Sequence, residues 1–272
     1  MAAADLQHLI TVDQLAASPT EFRVCDIRWD LTDPQKGRST YETGHIPGAV
    51  FVDLDRDLAD APGKSGRHPL PEVADFARTL GRLGVGRDSH VVVYDDVGGR
   101  IASRLWWMLR SIGHDGVQVL DGGYQAWISA GHDVGVGTVT PEPENYPVPA
   151  GFTGVVTHDQ LDGRLLIDAR AGERYRGEAE PVDPKAGHIP GAISIPASEN
   201  LDDHGRFLAP HQLADMYRGL PPRAVVSCGS GVTACHDALA MLVAGHEMPD
   251  VYIGSFSEWS RLDLPVETGP NP

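Results

Sequence analysis

Short apolar runs rich in β-branched residues alternate along this chain with longer stretches in which apolar residues recur at helical spacing. The short runs predict buried strands, and the longer stretches predict helices. In the first half the predicted strands are residues 24–29, 49–53, 91–95 and 117–120, and the predicted helices are residues 72–83, 100–112 and 124–130. In the second half the strands are residues 165–169, 192–195, 224–227 and 251–253, and the helices are residues 211–220, 234–244 and 256–262. This alternation predicts an α/β fold with mostly parallel sheets flanked by helices.

The two halves repeat each other in several blocks that occur in the same order. The hexapeptide Gly-His-Ile-Pro-Gly-Ala occurs at residues 44–49 and again at residues 187–192. A Thr-x-x-Gln pattern, typical of a capping box at a helix start, begins at Thr11 and at Thr157. Residues 135–151 are rich in proline and predict a stiff, extended linker. We therefore predict one domain at residues 1–134 and a second at residues 152–272.

The composition narrows the possible partners and compartments. The 272 residues include 38 acidic and 22 basic side chains, for a net charge of −16. A chain this acidic repels phosphates, which argues against nucleic acid or an anionic membrane surface as a partner. Three cysteines without regular spacing predict a reducing compartment and no disulfide framework. The first eight residues lack a basic segment and a long apolar run, so we expect a cytoplasmic protein without a signal peptide or membrane span.

Candidate chemistry is concentrated at residues 228–236, Cys-Gly-Ser-Gly-Val-Thr-Ala-Cys-His, between a predicted strand and a predicted helix. The two glycines allow a tight turn whose backbone N–H groups point inward at the positive end of a helix, and such a nest holds an anion. The anion that this sequence offers is the thiolate of Cys228, the nucleophilic form of cysteine. The alternative is a buried structural cysteine beside a glycine turn.

The internal repeat distinguishes the two halves chemically. When the strand at residues 91–94 is aligned with the strand at residues 224–227, Asp95 falls opposite Cys228. The first copy therefore keeps the fold but lacks the nucleophile. One catalytic domain and one non-catalytic partner domain are the simplest interpretation.

These features together resemble the two-domain rhodanese-type sulfurtransferases. The resemblance covers nearly the whole chain and rests on the tandem domains, the repeated hexapeptide, the Cys228 loop and the Asp95 replacement. It implies two rhodanese-like domains and a double displacement in which Cys228 takes a sulfur atom from a small-molecule donor and becomes a persulfide. A thiol, thioredoxin or cyanide then accepts the outer sulfur, and the reaction needs no metal and no organic cofactor.

The resemblance also implies roles for individual residues. The amides of the loop, at Gly229, Gly231, Val232 and Thr233, are expected to stabilise the persulfide. Arg174 matches an arginine that binds the acidic end of the donor, which suits a planar guanidinium. A second family arginine is replaced here by Val182, with Lys185 as a candidate substitute.

Three residues match a proton-transfer triad of the same family. Ser230 of the loop is expected to act with His68 and Asp55 while the donor is converted to its product. The Gly-Ser pair after Cys228 resembles the branch of the family that uses 3-mercaptopyruvate. The branch that uses thiosulfate typically carries basic residues at these positions, so we expect 3-mercaptopyruvate as the donor and keep thiosulfate as the alternative.

Two other classes of function compete with sulfur transfer. A cysteine phosphatase uses a related loop but needs a loop arginine to neutralise the transferred group. The corresponding position here is Ala234. A sulfur-carrier module without turnover is the third possibility, and the intact loop argues against it.

Overall fold

A computed structural model describes residues 8–270 of the chain. By their contacts these residues form two compact units. The first unit comprises residues up to 59, residues 71–153 and residues 203–207, and the second comprises residues 60–70, 154–202 and 208 onwards. Residues 60–70 lie within the range predicted for the first domain, yet they make their contacts in the second unit. Residues 1–7, on which part of the signal-peptide prediction rests, lie outside the described residues.

The first unit contains five strands and six α-helices among its described residues. The strands are β1 (Leu9–Ile10), β2 (Arg23–Asp26), β3 (Val50–Phe51), β4 (Val91–Tyr94) and β5 (Val117–Leu120). The helices are α1 (Val12–Ala17), α2 (Lys36–Thr43), α3 (Leu54–Asp57), α4 (Val73–Arg82), α5 (Ser103–Ser111) and α6 (Gly123–Ser129). The strands form one parallel sheet in the order β1-β5-β4-β2-β3, and α5 packs on β4 and β5.

The second unit repeats this arrangement, with four α-helices among its described residues. Its strands are β6 (Val155–Val156), β7 (Leu166–Asp168), β8 (Ile193–Ser194), β9 (Val225–Ser227) and β10 (Asp250–Tyr252). Its helices are α7 (Gly172–Tyr175), α8 (Pro210–Met216), α9 (Ala234–Val243) and α10 (Ser255–Trp259). The parallel sheet has the order β6-β10-β9-β7-β8, which matches the first sheet strand for strand. The predicted α/β class and parallel sheets are thereby confirmed.

The repeated hexapeptide serves the fold in the same way in both units. His45 Nδ1 lies 2.9 Å from the carbonyl oxygen of Tyr41, and the two rings stack. His188 Nδ1 lies 2.8 Å from the carbonyl oxygen of Tyr175, again with stacked rings. Because both units make this contact and only the second carries Cys228, the shared histidines are packing residues.

The structure corrects several element predictions. The helix predicted at residues 211–220 spans Pro210–Met216. The helix predicted at residues 100–112 begins only at Ser103, because residues 96–102 wrap around the carboxylate of Asp95. The helix predicted at residues 256–262 spans Ser255–Trp259. The capping box at Thr11 opens an α-helix as predicted, whereas the one at Thr157 opens a single 3₁₀ turn, His158–Gln160. The two-residue edge strands β1 and β6 are absent from the sequence-based prediction.

Candidate active site

Cys228 follows the end of β9 and lies in the loop that leads into α9. Its side chain is buried, with 3% of the residue exposed, and its Sγ lies 3.4 Å from the backbone nitrogen of Ser230, whose N–H points at the sulfur. Gly231 turns the loop with a φ of +74°, and a Cβ at this position would lie 2.4 Å from the carbonyl oxygen of Ile253. Only glycine fits this turn without a shift of the backbone.

Residues that follow β10 hold the backbone of the cysteine loop through hydrogen bonds. The N–H of Cys228 donates to Ser255 Oγ at 3.1 Å, and the N–H of Phe256 donates to the carbonyl of Cys228 at 3.0 Å. The N–H of Ser257 donates to the carbonyl of Gly229 at 2.8 Å. Ser255 itself has a φ of +52°, an uncommon conformation for a residue with a side chain. These bonds fix residues 228 and 229 and thereby the position of the sulfur.

The equivalent loop of the first unit, which follows β4, shows what the backbone N–H groups of such a turn can hold. The buried carboxylate of Asp95 accepts backbone N–H groups from Val97, Gly99, Ile101 and Ala102 at distances of 2.7–2.9 Å. The turn after this strand is therefore an anion cradle, filled in the first unit by a carboxylate of the chain itself. Cys228 occupies the corresponding position in the second unit.

Two of the three predicted triad residues meet in the second unit. Ser230 Oγ and His68 Nδ1 are 2.8 Å apart, and both residues are buried, with 7% and 5% exposed. His68 reaches the loop because residues 60–70 pack in this unit, where Arg67 N–H donates to Ser257 Oγ at 3.0 Å. Asp55 lies in α3 of the first unit, where its carboxylate accepts the indole N–H of Trp29 at 2.8 Å. The participation of Asp55 in a triad stays a prediction.

Two guanidinium groups lie beside Gly229. A Cβ built on Gly229 would be 3.1 Å from Arg67 Nη2 and 3.5 Å from Arg174 Nη1. Arg174 was singled out from the sequence, whereas Arg67 was missed, although it directly precedes His68. Lys185 was suggested as a second cation, but its Nζ donates to the backbone carbonyls of Leu262 and Leu264. Arg67 and Arg174 thus place two guanidinium groups beside the Gly-Ser pair, whose own side chains are uncharged.

The remaining predicted loop residues lead into α9. Val232 is buried, Thr233 is half-buried, and their carbonyls accept the N–H groups of Cys235 and His236 at 3.1 and 3.0 Å. The thiol of Cys235 donates to the carbonyl of Gly231 at 3.3 Å, so it packs beneath the loop.

The third cysteine, Cys25, lies in the first unit. Cys25 is fully buried in β2, and burial raises the pKa of its thiol to about 12. Within residues 8–270 no group of three or more His, Cys, Asp or Glu side chains is arranged to hold a metal ion. None of the helices formed by these residues is long and apolar enough to span a membrane.

Fold and site together define a duplicated α/β protein with one buried cysteine in an anion-binding loop. The rhodanese-like domain model matches this chain twice, at residues 11–130 and 156–262. The chain belongs to the rhodanese family.

Individual relatives agree with this assignment. The chain is 44% identical to the "Probable 3-mercaptopyruvate sulfurtransferase" of Pseudomonas aeruginosa, over 96% of this chain and 98% of the relative. It is 36% identical to the thiosulfate sulfurtransferase of Rattus norvegicus, over 91% of this chain and 87% of the relative. Among solved structures, the 3-mercaptopyruvate sulfurtransferase from Leishmania major superimposes with a TM-score of 0.86 at 29% identity, covering 96% of this chain and 76% of the other.

The chain is accordingly an enzyme of the sulfurtransferase class, as predicted from the cysteine loop and the duplicated domains. Membership of this class implies a sulfur donor and a thiol or cyanide acceptor in general, and a persulfide as the intermediate.

Proposed function

We propose that this enzyme transfers sulfur from 3-mercaptopyruvate to a thiol, thioredoxin or cyanide through a persulfide on Cys228. The thiolate of Cys228 attacks the donor sulfur, an S–S bond forms and the C–S bond breaks. The bonding electrons leave with the carbon fragment as the enolate of pyruvate, which takes up a proton to become pyruvate. An acceptor thiolate or cyanide then attacks the outer sulfur and returns Cys228 to its thiolate.

The observation that carries the choice of donor is the Ser230–His68 pair beside the nucleophile. Breaking a C–S bond leaves a carbanion-like fragment that has to be protonated, and a hydroxyl hydrogen-bonded to an imidazole at 2.8 Å can deliver a proton. Cleavage of thiosulfate releases sulfite, a leaving group that needs no protonation at carbon. The pair therefore serves 3-mercaptopyruvate and has no comparable task with thiosulfate.

Arg67 and Arg174 are proposed to receive the carboxylate of the donor. Each guanidinium is anchored through other nitrogens, while Arg67 Nη2 and Arg174 Nη1 remain closest to Gly229. A carboxylate at this point can accept from both groups. The loop residues Gly229, Gly231, Val232 and Thr233 would contribute their backbone N–H groups to the persulfide. Val232 is at the position equivalent to Gly99, whose N–H donates to Asp95 in the first unit.

Thiosulfate remains the second candidate donor, and the two arginines are the observation in its favour. They place cations beside a loop whose own sequence is neutral. A sulfurtransferase relative named for thiosulfate also aligns over most of this chain.

The choice is tested with His68→Gln and steady-state kinetics for both donors, with cyanide as the acceptor. Losing the proton donor is expected to lower kcat for 3-mercaptopyruvate about 100-fold or more, which is typical of general acid–base catalysis. The rate with thiosulfate should change much less. An equal loss of kcat with both donors would contradict the proposed proton transfer, and a wild-type preference for thiosulfate would contradict the donor assignment.

A further inference from the structure

A buried carboxylate lies between the two arginines of the active site. Asp183 has a side chain with 0% exposure, and its Oδ1 lies 2.6 Å from Arg67 Nη1 while its Oδ2 lies 3.1 Å from Arg174 Nη2. A single carboxylate therefore holds both guanidinium groups, which come from distant parts of the chain. The outermost nitrogens of the two groups are then left beside Gly229.

A second buried carboxylate completes the anchoring. Glu180 accepts from Arg174 Nη2 at 2.7 Å and from Arg174 Nε at 3.2 Å, and it also receives the backbone N–H of Val182 and of Asp183 at 3.0 Å each. Burial acts to raise the pKa of Glu180, but the hydrogen bonds from Arg174 and the backbone outweigh it, so that the pKa is lowered. Glu180 is held as an anion against Arg174.

The charges at this place partly cancel. Arg67 and Arg174 bring two positive charges to Gly229, and Asp183 and Glu180 place two negative charges directly behind them. Two further arginines contact these carboxylates: Arg170, which is itself paired with Asp168, lies 3.3 Å from Glu180, and the exposed Arg261 lies 3.9 Å from Asp183. The guanidinium N–H groups beside Gly229 can still donate hydrogen bonds, but the net field there is weaker than two unpaired cations would produce. Such a site recognises a carboxylate by geometry and gives little extra advantage to a second negative charge on the donor.

We propose that Asp183 is a specificity-determining positioning residue, which aligns Arg67 and Arg174 beside Gly229 and limits the positive charge there, so that a monoanionic donor is favoured over dianionic thiosulfate. This inference rests on the proposed function.

The test compares kcat/KM for 3-mercaptopyruvate and thiosulfate in the wild type and in Asp183→Asn, Asp183→Glu and Asp215→Asn. Asp183→Asn removes one negative charge but keeps the size of the side chain. Because thiosulfate carries one charge more than 3-mercaptopyruvate, the ratio of kcat/KM values should move about fivefold or more toward thiosulfate. Asp183→Glu keeps the charge, so its ratio should stay near that of the wild type even if both values fall.

Asp215→Asn is the matched control, because it makes the same chemical change at an exposed carboxylate of the second unit that pairs with Arg218. Its ratio should equal that of the wild type. Equal losses for both donors in Asp183→Asn, or an equal shift in Asp215→Asn, would overturn the inference.

A measurement on the wild type covers the case in which Asp183→Asn does not fold. Pyruvate, a monoanion, should compete with the donor at lower concentration than sulfate, a dianion, and the reverse order would overturn the inference. The test of Asp183 can fail or succeed independently of the test of the proposed function. If the wild type prefers thiosulfate, the donor assignment fails, while the change of ratio on replacing Asp183 still tests the role of that residue.

Discussion

At the scale of single residues, the placement of Cys228 depends on Ser255. The Oγ of Ser255 accepts the N–H of Cys228 and donates to the carbonyl of Tyr252 at 2.7 Å. In the first unit the equivalent residue is Gly123, whose φ of +55° is nearly the same, and where a Cβ would lie 2.4 Å from the carbonyl of Asp95. The second unit thus tolerates a side chain in a conformation that favours glycine, and this side chain holds the backbone N–H of Cys228.

We predict that Ser255→Ala lowers the free energy of unfolding by about 1–3 kcal/mol, because the buried N–H of Cys228 loses its partner. The rate of sulfur transfer should fall with both donors, since the change acts on the shared nucleophile. Ser260→Ala is a matched control: Ser260 is also buried, and its Oγ has no hydrogen-bond partner within residues 8–270. The measurements are denaturation curves and kcat. Equal free energies of unfolding and equal kcat values for Ser255→Ala and Ser260→Ala would contradict the account.

At the scale of elements, the same strand–loop–helix turn occurs in both units, with Asp95 at its centre in the first and Cys228 in the second. Phe256 N–H donates to the carbonyl of Cys228, and Tyr124 N–H donates to the carbonyl of Asp95 at 2.8 Å, so the two loops are braced in the same manner. In the first unit the cradle is filled permanently by the chain itself. In the second unit the sulfur of Cys228 takes that place.

We predict that Asp95→Asn destabilises the protein by about 2–4 kcal/mol, because an amide cannot accept four N–H groups as a carboxylate does. Formation of the persulfide on Cys228 should persist below the unfolding temperature. The control is Asp96→Asn, because Asp96 is the next residue and is half-buried. This change should lower the free energy of unfolding by less than Asp95→Asn does. A negligible effect of Asp95→Asn on thermal unfolding would show that the cradle does not depend on its anion.

The elements with long, regular patterns could be predicted from the sequence, and the contacts of the site only in part. The strands β4, β5 and β9 and the helix α9 have strong apolar patterns, and the loop between β9 and α9 is local in the chain. The position of Arg67 beside Gly229 depends on tertiary packing between segments about 160 residues apart, which no local pattern encodes. The same holds for Asp183, whose role depends on two arginines that reach it from different directions.

At the scale of the whole molecule, an acidic protein keeps two carboxylate-paired arginines and a buried acid in the same unit. The net charge is −16, while Arg67 and Arg174 lie beside Gly229, the residue after Cys228. Near the start of α9, Asp237 is completely buried, with its Oδ1 accepting the amide N–H of Asn200 at 2.8 Å. Burial, with a smaller contribution from the charges of Asp168 and Glu199, raises the pKa of Asp237 well above its ordinary value, against the opposing effect of Asn200.

This buried acid makes stability depend on pH. The folded protein keeps a proton that the unfolded chain releases above about pH 4, so the free energy of unfolding falls as the pH rises from there toward the folded pKa, by up to about 1.4 kcal/mol per pH unit. Asp237→Asn removes this contribution. Its free energy of unfolding relative to the wild type should therefore improve between about pH 5 and pH 7.

Urea denaturation over that pH range provides the measurement, with Asp215→Asn as an exposed control that should follow the wild-type profile. Parallel pH profiles for Asp237→Asn and the wild type would mean that Asp237 is ionised in the folded protein.

The most direct test of the central claim is intact-mass analysis after brief exposure to each donor, with Cys228→Ser in parallel. The account predicts that the native protein gains one sulfur atom, that it does so faster with 3-mercaptopyruvate than with thiosulfate, and that Cys228→Ser gains none. A gain of sulfur in Cys228→Ser, or no gain in the native protein from either donor, would contradict the assignment of Cys228 as the sulfur-carrying nucleophile.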